Sequence, residues 1–159
     1  MKIVVGRVAD FLPGQRRVVD VGRRSIGVFR IGDRFYALNN SCPHQGGPLC
    51  AGRIAPWVRS DSPGEFSVDA EPALVVCPWH GWEYEIATGQ SFLGPGEPPV
   101  RGYGTAVEPG RVLSESLEKQ TNERVPGPYV VETFDVRIDD DYVVVDTSSR
   151  PSRQPSSSI

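Results

Sequence analysis

The chain has 159 residues, enough for one domain with a modest core that needs no disulfides. Its 17 Gly and 15 Pro make up about a fifth of the positions, which argues against a helical protein but stays below the level of disorder. A net charge of −3 gives no electrostatic case for nucleic acid, and no apolar stretch reaches the length of a membrane span.

Taken in chain order, strand signals dominate. The first apolar run is cut short at Arg7, too early for a secretory signal core, so a cytoplasmic location is expected. Residues 3–11 read as a strand, and Arg17–Val21 as a second after a Pro13-Gly14 turn. Ser25–Ile31 and Arg34–Leu38 flank Gly32-Asp33, a tight-hairpin signature, and the second arm runs on into Cys42. Residues 55–72 are polar, with Pro56, Pro63, Gly64 and Pro72, and interrupt the β pattern. Ala73–Val76 resumes it and runs into Cys77, and Trp82–Ile86 alternates before a Thr88-Gly89 turn. A second interruption, 97–128, holds one short helix at Leu113–Lys119. Tyr129–Ile138, the turn at Asp139-Asp140 and Tyr142–Asp146 read as a closing hairpin, and Ser148–Ile159 as a disordered Ser/Pro/Arg-rich tail. The expected class is all-β, with one domain over 1–147 and a tail over 148–159.

The chain has two histidines, and each stands beside a cysteine: Cys42-Pro43-His44 and Cys77-Pro78-Trp79-His80. Two thiolates and two imidazoles form the donor set of a [2Fe–2S] centre in which two His replace two Cys on one iron. Thiolates are soft ligands that bond strongly to iron, and neutral imidazoles leave the centre less negative than four thiolates, which raises its potential. Pro43 and Pro78 stiffen the arms, while Gly46, Gly47 and Gly81 let the backbone pass close to a cluster. Either motif alone is weak; together they use both histidines of the chain and follow strand residues in both cases. The rival is a structural zinc site, but zinc fingers pair Cys with Cys and His with His in sequence, unlike these mixed arms. The third cysteine, Cys50, has no evident mate. It reads as a small packed residue, with a reactive thiol as the other reading.

The segments Cys42-Pro43-His44-Gln45-Gly46-Gly47-Pro48-Leu49 and Cys77-Pro78-Trp79-His80-Gly81-Trp82-Glu83-Tyr84 resemble the two cluster-binding loops of Rieske ferredoxins, soluble electron carriers of ring-hydroxylating oxygenase systems. Gly94–Pro99 resembles the proline-rich loop that covers the cluster in that family. The resemblance implies an antiparallel β sandwich with a small cluster-binding subdomain. It also implies one [2Fe–2S] cluster, with Cys42 and Cys77 on the buried iron, His44 and His80 on the outer iron, and a ferredoxin reductase and a terminal oxygenase or other redox enzyme as partners. This chain departs from the pattern in having 32 residues between His44 and Cys77, roughly twice the usual length, and a further insertion at about 101–128. The first insertion, about 55–72, is expected to be a surface excursion near the cluster. Trp79 stands where disulfide-bearing members have Cys. Trp82 replaces a Ser of the high-potential members, so one hydrogen bond to sulfur is missing and a lower potential is implied.

With both histidines committed, no imidazole remains for the mononuclear iron of an oxygenase. No flavin or nicotinamide fingerprint is present either, so the chain is read as a carrier and not as an enzyme on its own. The other reading is a non-catalytic Rieske-fold subunit of a larger redox complex, such as a nitrite-reductase-like small subunit; size exclusion with candidate partners separates the two.

Overall fold

The first hairpin carries apolar residues on both of its faces, and the whole architecture follows from that. In the computed structural model, which describes residues 1–92, 94, 96–122 and 140–151, this hairpin is β3 (Arg24–Ile31) and β4 (Arg34–Asn39), joined at Gly32-Asp33. Successive strand side chains point to opposite faces. Ile26, Val28, Phe35 and Ala37 therefore enter one core, while Phe29, Ile31 and Leu38 enter another.

The first core is enclosed by a six-stranded antiparallel sheet. With β1 (Lys2–Arg7), β2 (Arg16–Val21), β8 (Gly102–Pro109) and β9 (Asp141–Asp146), its order is β1-β9-β8-β4-β3-β2. β8 meets β4 only at Gly102 and Tyr103, then pairs with β9 from Gly104 to Pro109, so the sheet turns over at this strand. Val5 of β1 and Val143 and Val145 of β9 share the core of Ile26, Val28, Phe35 and Tyr103. Tyr142 and Val144, on the other face of β9, pack with Val4 under Leu113 of helix α1 (Gly110–Asn122). A strand covered on both sides reads as a continuous apolar run, as Tyr142–Val145 does.

The second core lies between the outer face of the β3–β4 hairpin and a three-stranded sheet, β5 (Arg53–Ser62), β6 (Glu65–Val76) and β7 (Glu83–Glu85). It holds Phe29, Leu38, Leu49, Val75, Tyr84, Ile86 and all three cysteines.

The expected all-β sandwich with a small subdomain is what the chain builds. Three local readings change. The first strand stops at Arg7, and Val8–Asp10 forms a 3-10 turn. Residues 55–72 do not interrupt the β structure: they form most of one long hairpin, with Pro56 opposite Pro72 at a register shift and Val58 opposite Val68 beyond it. Residues 102–109, inside the second expected interruption, form β8. The short helix expected at Leu113–Lys119 lies within α1. Of the closing hairpin only 140–146 falls in the described residues; 129–139 lies outside them. The segment 148–151 returns along β8, where the Gly104 N–H donates to the Ser149 carbonyl at 3.3 Å. The Ser148 hydroxyl, and then its N–H, hold the Asp146 carboxyl at about 2, below its usual range. Residues 152–159 lie outside the described residues. Among the described residues no helix is long and apolar enough to cross a membrane.

The far half of the β5–β6 hairpin exposes Val58, Phe66 and Val68, with Phe66 73% exposed, whereas Leu38 is fully buried. Phe66→Ser is expected to leave the unfolding free energy within about 0.5 kcal/mol of wild type. Leu38→Ala should cost ~2–5 kcal/mol through the cavity it leaves. Denaturant titration of both variants checks the contrast.

Candidate metal centre

The two Cys-His arms leave strand ends and fold in the same way. In the first, the Gly46 N–H donates to the Cys42 carbonyl at 2.8 Å and the Cys42 N–H donates to the Gly47 carbonyl at 2.9 Å. In the second, the Gly81 N–H donates to the Cys77 carbonyl at 3.0 Å and the Cys77 N–H to the Trp82 carbonyl at 2.7 Å. Each loop closes four residues after its cysteine on a glycine of positive φ, +81° at Gly46 and +75° at Gly81. A side chain is strained in that conformation. An isolated bridge between Ser41 and Pro48 completes the first loop.

These equal loops bring all four predicted residues together. Cys42 and Cys77 are 2% and 3% exposed and belong to the second core, while His44 and His80 are exposed. The two imidazole centroids are 4.7 Å apart with planes 79° to each other. Burial pushes the Cys42 thiol up, against the pull of the Tyr84 hydroxyl and of the His44 backbone N–H, both of which favour a thiolate. The Tyr84 hydroxyl lies 3.3 Å from Cys42 Sγ. Burial, and then the contact with Cys42, push the ionisation of Tyr84 above its usual range, so it remains a hydroxyl with a proton to donate.

A bridged two-iron group fits this arrangement better than a single metal ion. Cys42 and Cys77 form a buried sulfur pair and His44 and His80 an exposed nitrogen pair, the division that a [2Fe–2S] group with two Cys on one iron and two His on the other would require. Space is reserved as well. A methyl group at Gly47 would sit 2.8 Å from Cys77 Sγ and 3.1 Å from Trp79 Cγ, so only hydrogen fits between the sulfur and the indole.

Two contacts beside the centre escaped the sequence reading. Tyr84 supplies a donor to sulfur although position 82 lacks the serine that would have given one. The Glu83-Tyr84-Glu85 alternation placed Tyr84 inward and was the available signal. Trp82 stacks on His44, centroid to centroid 4.3 Å with planes 10° apart. Cys50 is buried, its thiol 3.7 Å from the Arg17 carbonyl, and desolvation pushes its pKa up. It is thus a packed residue of the second core. At the base of the long hairpin, Trp57 meets Phe92 edge to face at 4.5 Å. Phe92 follows Ser91, which bridges to Tyr84 and donates its hydroxyl to the Glu97 carbonyl at 3.0 Å. The hairpin therefore starts beside the loop that follows the centre.

A family model described as Rieske [2Fe-2S] domain matches residues 1–104. Ferredoxin CarAc of Metapseudomonas resinovorans is 30% identical over 112 residues, covering 70% of this chain and 90% of that protein. The ferredoxin subunit of 3-phenylpropionate/cinnamic acid dioxygenase from Escherichia coli is 26% identical over 113 residues, covering 71% of this chain and 92% of that subunit. The solved ferredoxin of carbazole 1,9a-dioxygenase from Nocardioides aromaticivorans superimposes with a TM-score of 0.52 at 26% identity, covering 67% of this chain and 89% of that one. A ferredoxin–oxygenase complex of carbazole 1,9a-dioxygenase gives 0.50 at 26% identity, covering 66% and 83%.

Proposed function

The chain belongs to the Rieske [2Fe–2S] domain family, and on that premise we propose that Cys42 and Cys77 hold one iron of its cluster and His44 and His80 the other. It carries one [2Fe–2S] cluster and passes electrons singly from a reductase to a terminal oxygenase, as a ferredoxin component does. Ferredoxin CarAc, at 30% identity, and the dioxygenase ferredoxin subunit, at 26%, are matched over nine-tenths of their own length, which favours a carrier over a fixed subunit. Residues 1–147 are taken as the Rieske domain and 148–159 as its tail, with the protein working in the cytoplasm.

The observation that carries the ligand assignment is the pairing of two equivalent loops, with sulfurs inside and imidazoles outside. When bound, the cluster supplies a one-electron couple, in a range of roughly −150 to +300 mV for this class. The chain supplies the rest. Core packing around Cys42 and Cys77 excludes water from the sulfurs, and the His44 N–H and the Tyr84 hydroxyl stabilise charge there. The exposed rings of His44 and His80 put the outer end of the centre where a partner can reach it.

Anaerobic reduction of the purified protein is expected to take up one electron per two irons and two sulfides. It should also produce an EPR signal whose average g value lies below that of the free electron. A protein that binds zinc without sulfide, or iron without this signal, would refute the assignment.

A further inference from the structure

We propose that Trp82 is a positioning residue for His44, fixing the plane of its imidazole and tying the two arms together. The proposal rests on the reading of His44 as a ligand. His44 is exposed, and two side-chain torsions leave its ring free to turn unless something holds it. Trp82 has none of that freedom. Its carbonyl accepts the Cys77 N–H at 2.7 Å, it stands immediately before β7, and its half-buried indole packs against the core that contains Cys42, Cys77 and Tyr84.

The indole and the imidazole lie 4.3 Å apart and 10° from parallel. Turning the imidazole about its own axis would drive its edge into the indole face. The His80 ring limits it as well, at 4.7 Å and nearly perpendicular. The imidazole thus sits in a slot formed by two residues of the other arm, which restrict its orientation. Ordering a ligand in advance removes an entropic cost from binding. Position 82, which the sequence presents as the loss of a hydrogen-bonding serine, thereby acquires a role of its own: a flat surface against which the other arm is aligned. The worth of one aromatic stack corresponds to about twofold to tenfold in an equilibrium.

The test compares Trp82→Leu, which keeps bulk but no flat ring, with Trp82→Phe, which keeps a ring, both as cluster-loaded protein. The readouts are the nitrogen hyperfine couplings of the ligating imidazoles in the reduced state and the rate of bleaching by an iron chelator. Trp82→Leu should shift or broaden one of the two imidazole couplings and bleach about threefold to tenfold faster, and Trp82→Phe should restore most of both. Couplings and bleaching unchanged in Trp82→Leu would overturn the proposal. So would loss of the cluster together with the β-sheet circular dichroism, since Trp82 would then be a core residue before anything else. His44→Ser tests the premise separately. Two imidazole couplings persisting in that variant would overturn the ligand reading itself, whereas one lost there with Trp82→Leu unchanged would overturn only the positioning role.

Discussion

His80→Ala is expected to yield a folded protein that retains less than about a tenth of the wild-type cluster. Removing a mere supporting partner of a metal ligand lowers metal affinity about 10- to 100-fold, and losing a ligand, the role proposed for His80, should cost more. The fold should not pay the same cost. His80 is exposed, and surface replacements stay within about 0.5 kcal/mol, so far-ultraviolet circular dichroism should match wild type while the visible spectrum and the iron content collapse. This separation makes His80 a better probe than the cysteines. Cys77 is buried among Val75, Tyr84 and Leu49, and a serine there would place an unsatisfied hydroxyl in the core, confounding ligand loss with destabilisation. Iron, sulfide and circular dichroism measured on the same sample decide the matter. Full cluster content in His80→Ala would remove His80 from the ligand set.

Of the structure around this centre, the sequence displays the local parts and hides those that depend on distant partners. The β3–β4 hairpin is legible because Gly32-Asp33 marks its turn, and apolar residues at both parities announce two covered faces. The two Cys-His arms are legible because each His lies two or three positions from a Cys. The β5–β6 hairpin was missed because Pro56, Pro63 and Pro72 are expected to end strands. Pro56 lies on an edge strand, and Pro72 precedes the residues of β6 that pair with β7, so neither proline has a ladder bond to lose on its outer side. Strand β8 was missed for another reason: most of its pairing is with β9, more than thirty residues further along the chain, and its own residues carry a weak apolar pattern. The same limit applies at the site. Alternation places Tyr84 inward, but nothing local says that its hydroxyl meets a sulfur 42 positions earlier in the chain.

That contact sets the second expectation: Tyr84→Phe should lower the midpoint potential by roughly 40 mV and leave the cluster in place. The Tyr84 hydroxyl lies 3.3 Å from Cys42 Sγ, and burial keeps it protonated, so toward a metal-bound thiolate it acts as donor. An added electron makes the sulfurs more negative, and a hydrogen bond to a more negative acceptor is stronger. The hydroxyl therefore favours the reduced state, and its removal makes reduction harder. A hydrogen bond to a charged group is worth about 1.5–3 kcal/mol. If a third to a half of that differs between the two oxidation states, the change is about 1 kcal/mol, and a one-electron couple moves 59 mV for each tenfold change in equilibrium. Water is not expected to restore the bond, because Tyr84 is fully buried and deletion of one oxygen leaves less than the volume a water molecule needs. The His44 N–H still faces Cys42 Sγ, which keeps the thiolate from being stranded and explains why the cluster should survive. Spectroelectrochemical titration at fixed pH measures the shift, and a potential that stays or rises would show that the hydroxyl does not act on the sulfur.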